Sequence, residues 1–188
     1  MRPDQTPARA PAATGGWRSR LLARLVVSVV ALLAAPAAVQ AALTASIVDL
    51  NLPAVTSSHV AQTSTGTMML TVTDSAPGAG WNVTILSSAF VYSGPHGGTS
   101  IPAANLSITE ARSPVLVSGQ AIDPSGGPKV PPSGAPGTLD VARKTIQAEV
   151  GYGGGTYTQD LGVSLVVPAD SRAGTYTASL TVTVINGP

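Results

Sequence analysis

Apolar and polar side chains alternate with a period of two through most of the chain beyond residue 41. In "TMMLTVTD", Met68, Leu70 and Val72 fall on one face, and Met69, Thr71 and Thr73 on the other. "WNVTILS" sets Trp81, Val83 and Ile85 against Asn82, Thr84 and Leu86; "LGVSLVV" aligns Leu161, Val163, Leu165 and Val167. "TYTASLTVTV" aligns Tyr176, Ala178, Leu180, Val182 and Val184, with Thr or Ser between nearly all of them. Such alternation marks strands with one face toward a core and one toward water. Further strands are predicted in "SIVDLNL" from Ser46, "AFVYSG" from Ala89, "NLSITEA" from Asn105, "PVLVSG" from Pro114 and "TIQAEVG" from Thr145. Helical periodicity is almost absent, and glycine- and proline-rich turns separate the runs, so the fold class is all-β, an antiparallel β-sandwich.

The turns carry expectations of their own. Residues 123–137, "DPSGGPKVPPSGAPG", contain five prolines that forbid regular pairing, so this Pro/Gly-rich segment reads as a surface loop. "GYGGGTY" at residues 151–157 reads as a hairpin turn whose glycines supply positive φ. Tyr176 is in phase with Leu180 and Val182, which directs its ring to the core.

The N-terminus follows a different pattern. Arg2, Arg9, Arg18, Arg20 and Arg24 precede the apolar run "LVVSVVALLAAPAA", and small residues follow, so residues 1–41 read as a secretory signal peptide with cleavage after Ala41. The run is shorter than the roughly 20 apolar residues needed to span a bilayer, so no stable membrane span is expected once it is removed. Removal also changes the charge. The whole chain carries +1, but half of its ten Lys and Arg and only one of its nine acids leave with the signal, so residues 42–188 carry −3. Arg112, Lys129, Arg143, Lys144 and Arg172 form no basic stripe, which argues against nucleic acid as a partner. With no cysteine in an exported chain, stability has to come from burial.

Candidate chemistry is sparse. The histidines are His59 and His96, no metal-binding histidine spacing is present, and there is no GxSxG elbow. The glycines of residues 151–155 lead into Thr156 and Tyr157 and a strand, without the Lys-Ser/Thr ending and helix that a phosphate loop requires. "DPSGG" from Asp123 lacks the spaced acids of a calcium loop and reads as a turn. No catalytic residue, cofactor or metal ligand is therefore expected. Two sequons, at Asn82 and Asn105, would matter only in a host that glycosylates them.

"LTVTDSAPGAGWNVTI", followed by "GGGTYTQDLGVSLVVPADSRAGTYTASLTVTVINGP", resembles the WxL domain of bacterial cell-surface proteins. In that family a strand ending in Asp leads through a glycine turn into Gly-Trp-x-Leu, and a "VPA…AGTYTATLTWTL"-like strand closes the chain. The resemblance spans most of residues 42–188, with residues 93–142 least informative. It implies an exported β-sandwich held non-covalently on the cell wall, through peptidoglycan or another envelope polymer, working with other surface proteins. Two positions depart from the pattern: Val83 stands where leucine is usual, and Val182, in Val182-Thr183-Val184, stands where the second tryptophan would be.

The site expectation therefore centres on Trp81, Val83, Val182 and Val184, as wall-binding motif or as core. Phase places Trp81 with Val83 and Ile85, on the side of the core; the resemblance makes it the retained half of a two-part motif. The alternative function is a structural subunit or adhesin module that pairs with other proteins through exposed sheet edges, the threonine-rich C-terminal strand being one such edge.

Overall fold

A computed structural model describes residues 43–76 and 78–188, all within the compact unit Val39–Pro188. The segment read as a signal peptide lies outside the described residues. Eleven strands follow in order: β1 Leu43–Ile47, β2 Gln62–Asp74, β3 Trp81–Ser87, β4 Val91–Ser93, β5 Leu106–Ala111, β6 Val115–Gly119, β7 Gly137–Thr138, β8 Arg143–Ala148, β9 Gly155–Val167, β10 Thr175–Thr177 and β11 Leu180–Asn186. A single 3₁₀ turn at Ala103–Asn105 is the one helical element among the described residues. Every strand pair is antiparallel.

One sheet runs β1-β2-β9-β5-β7, with β6 continuing the β5 edge along β9. Its backbone is the full-length pairing of β2 with β9, from Gln62↔Val167 to Asp74↔Gly155. The second sheet is β11-β3-β8, and β4 and β10 form a short ribbon. The alternation fixes which faces meet: Met68, Leu70, Val72, Leu161, Val163 and Leu165 from the first sheet are buried against Trp81, Val83, Ile85 and Ile146 from the second. The chain is thus an antiparallel β-sandwich with a contiguous apolar core. Buried Gln159 of β9 ties the layers by donating to the carbonyls of Arg112 and of Thr145, both at 3.0 Å.

Four expectations change in detail. In "SIVDLNL" only residues up to Ile47 form a strand; after the bond from Val48 N–H to Met69 O the chain leaves the β2 edge and becomes a strap. Leu50 and Leu52 of that strap pack over Gly66, where a Cβ would stand 2.9 Å from Leu52. The C-terminal strand is split into β10 and β11. It lies along β4 and β3, but the register slips by one residue, because Ser88, Ala89 and Phe90 lie opposite only Ala178 and Ser179. This is a β-bulge that bends the ladder and separates the ribbon from the sheet. The glycines of residues 151–155 do take positive φ at 151, 153 and 155, but they carry the chain from β8 in one sheet to β9 in the other, so the turn is an inter-sheet crossover and not a hairpin.

The proline-rich segment 123–137 is the fourth. It covers the edge of β8: Lys129 and Gln147 exchange backbone bonds of 2.8 and 3.0 Å, and Glu149 N–H reaches Gly126 O at 2.8 Å. Pro128, Pro131 and Ala135 are buried there. Proline blocks regular strand hydrogen bonding but buries as readily as other apolar groups, so a stretch that cannot pair can still pack.

Candidate functional site

The two motif stretches meet. β3 and β11 are neighbours, with Val83 opposite Val184, Ile85 opposite Val182 and Trp81 opposite Asn186. Sequence places these segments a hundred residues apart, and antiparallel pairing brings them into one ladder. Their side chains differ in burial: Trp81 and Val83 are wholly buried, while Val182 and Val184, on the edge strand, are half-buried.

Trp81 is seated by backbone on both sides. Its indole Nε1–H donates to Gly153 O at 3.1 Å, and its ring meets Tyr157 of the opposite sheet at 6.4 Å between centroids. The glycines beside it are required by close approach. A Cβ on Gly153 (φ +82) would fall 2.6 Å from Nε1, and one on Gly80 (φ +68) would fall 2.6 Å from Ala148 O. The Gly-Trp dipeptide is therefore a packing unit, and the indole has no face left for a ligand.

Tyr157 is buried beside it, its single O–H donating to Gln120 O at 2.6 Å and shared with Gly154 O at 3.0 Å. Burial raises its hydroxyl pKa above the ordinary value, and the charge of Asp74 adds to the effect. Asn82 is also buried, its amide donating to Gly187 O at 2.8 Å, so its sequon is closed to a glycan.

The accessible concavity lies elsewhere, where the strap of residues 48–58 faces the β4–β10 ribbon. Two open clefts, of about 620 and 460 Å³, meet at Leu50–Leu52, Phe90 and Tyr176. The larger is walled by apolar Phe90, Leu180 and Val182, with Asn51, Thr177 and Ser179 around them. Tyr176 stands directly opposite Tyr92 in the ribbon, the rings 5.3 Å apart and tilted by 59°. Its hydroxyl donates to Arg172 O, and that of Tyr92 to Ala173 O, each at 3.0 Å. Gly94, Gly98 and Gly174 close on the Tyr92 ring, each leaving under 3 Å for a Cβ, which explains two of the three glycines of "SGPHGG". Tyr176 keeps its phase with Leu180 and Val182: its half-buried ring packs against the edge of the core, its hydroxyl is exposed, and the ring also stands on the ribbon and lines the clefts. Sequence reasoning missed this site, because Tyr92 and Tyr176 come together only through the pairing of β4 with β10.

Charged groups are dispersed. Arg112 lies 3.6 Å from Glu110, Lys129 lies 3.0 Å from Glu149, and His59 Nδ1 bonds the Asp170 carboxylate at the foot of the strap. Glu149 is held below its ordinary pKa first by the hydrogen bond from Lys129, and Asp123 first by the Gly126 N–H and then by that of Ser125. Among the described residues no three of His, Asp and Glu converge on a point that could hold a metal, and no helix is long and apolar enough to cross a membrane.

Comparison with known proteins adds no assignment: no family model, curated protein or solved structure matches the chain.

Proposed function

We propose that the chain is an exported, non-catalytic β-sandwich of the WxL kind that holds non-covalently to a polymer of the bacterial cell wall, peptidoglycan or another envelope glycan. In this reading Trp81 and Val83 supply the core of the motif, and the contact is made at the clefts beside Val182. The observation that carries it is the lining of the larger cleft, which sets the Tyr176 ring and the apolar Phe90 and Leu180 next to the amide of Asn51 and the hydroxyls of Thr177 and Ser179. Sugar polymers present C–H faces rimmed by hydroxyls, and such a mixed surface answers both. With Asp49 the single charged residue on its lining, the larger cleft suits the uncharged sugar faces of such a polymer. Export and wall association rest on the arginine-led N-terminus and the resemblance of the two motif stretches. Cosedimentation of the full chain with purified peptidoglycan, against an unrelated β-sandwich as control, tests the proposal: retention above the control supports it, and equal retention removes it.

A second reading, an assembly or adhesin module, is favoured by one observation. Among the described residues β11 hydrogen-bonds only to β3, and although β1 of the other sheet lies beside it, no ladder uses its far-side backbone groups, which a strand from another protein could take. Light scattering across a concentration series with a candidate surface partner separates the two readings.

A further inference from the structure

The loop that joins β9 to β10 is pinned at five consecutive positions. The N–H of Asp170 donates to Ser58 O at 2.8 Å, and its carboxylate is bonded by His59. Ser171 donates its hydroxyl to Pro168 O at 2.7 Å and accepts the Ser57 hydroxyl on its carbonyl at 3.2 Å. The ribbon tyrosines hold the next two residues, Tyr176 through Arg172 O and Tyr92 through Ala173 O, and Gly174 packs on the Tyr92 ring. One group of the loop is left over. The guanidinium of Arg172 has no ion-pair or hydrogen-bond partner among the described residues, and the carboxylate two positions away is already engaged by His59. Arg172 is also the single charged residue on the lining of the smaller cleft. The two clefts share Leu50, Asn51, Leu52, Phe90, Thr175 and Tyr176, so they form one groove, with Asp49 along its larger part and Arg172 along its smaller part.

We infer that Arg172 determines which polymer the groove accepts, by receiving a free carboxylate on the peptide branch of a peptidoglycan fragment whose sugars lie in the larger cleft. This rests on the reading of the clefts as the wall-polymer site. A guanidinium offers paired N–H donors that match the two oxygens of a carboxylate. Its backbone is fixed by the pinned loop, so recognition costs little further ordering of the chain. The larger cleft holds no Lys, Arg or His, so an anion has one place to bind along the groove. Charge also separates this ligand from a wall polymer with a phosphate on every repeat. Asp49 stands along the same groove and residues 42–188 are net negative, so a run of negative charge is repelled where an isolated carboxylate beside neutral sugars is not. The groove thus sorts its ligand by the spacing of charge: neutral at Phe90 and Leu180, anionic at Arg172.

Equilibrium titration of the full chain with two soluble probes tests the inference: a peptidoglycan disaccharide-peptide with free carboxylates, and the same fragment with its carboxylates amidated. Wild type is expected to bind the free form about fivefold more tightly, the scale of one exposed ion pair, and the preference should fade as salt rises. Arg172→Gln should bind both forms alike with an unchanged denaturation midpoint, since its backbone carbonyl still receives the Tyr176 hydroxyl. Arg112→Gln removes the same charge from a residue outside both clefts and should keep the preference. Equal binding of the two forms by wild type overturns the inference and leaves the wall-polymer reading standing. So does a preference that survives in Arg172→Gln or vanishes in Arg112→Gln, or tighter binding of a poly(glycerol phosphate) than of the free fragment. Binding of neither fragment removes the reading and the inference together.

Discussion

The indole N–H of Trp81 is bonded to the carbonyl of Gly153, joining the first residue of β3 to the crossover that leads into β9. The bond spans 72 positions of sequence and fixes the turn against the core. Truncating this side chain leaves a large cavity and an orphaned carbonyl. Trp81→Ala is expected to cost about 3–5 kcal/mol in chemical denaturation followed by circular dichroism. Gly153→Ala should cost about 1–3 kcal/mol, since it imposes a Cβ on a left-handed backbone pressed against the indole.

The motif strands respond differently to bulk. Val83 is wholly buried, and Val182 borders the open cleft. Val83→Trp should therefore cost at least about 1–3 kcal/mol through overpacking. Val182→Trp, which puts a tryptophan where the WxL pattern has its second, is expected to leave the denaturation midpoint nearly unchanged while filling the cleft.

Stability should fall at both extremes of pH. Asp123 and Glu149 are held below their ordinary values of 3.8 and 4.5 in the folded chain. Their contribution is present above those values and is lost as pH falls through the folded ones. Tyr157 is shifted the other way, from 10.0 upward, so its contribution is full below pH 10 and is lost as pH rises through the raised folded value. Tyr157→Phe is expected to be less stable at neutral pH, having lost the O–H that Gln120 O and Gly154 O share, and the gap to wild type should narrow above pH 10 in urea titrations.

The strands were legible because each buries one face, and burial of alternate side chains writes itself into the sequence, as at Met68, Leu70 and Val72. The core position of Trp81 followed from its phase with Val83 and Ile85. What was hidden depends on distant partners. Leu50 and Leu52 keep strand-like alternation, yet they dock on Gly66 of another strand, and no local pattern encodes that contact. The inward phase of Tyr176 was legible, but the break between β10 and β11 was not, because the extra residue of the bulge lies on the partner stretch, at Ser88–Phe90, and not on its own strand. The prolines of residues 123–137 signalled the lack of a regular strand correctly and said nothing about packing.

The central claim, that the motif tryptophan builds the core while the cleft makes the contact, is tested most directly by peptidoglycan cosedimentation of two variants at matched fold. Trp81→Phe is expected to keep wild-type retention once its lower stability is allowed for, and Tyr176→Ala, compared in the same way under conditions where it is fully folded, to bind about tenfold more weakly, equivalent to about 1.4 kcal/mol. Loss of retention in folded Trp81→Phe with Tyr176→Ala binding as wild type would contradict the account.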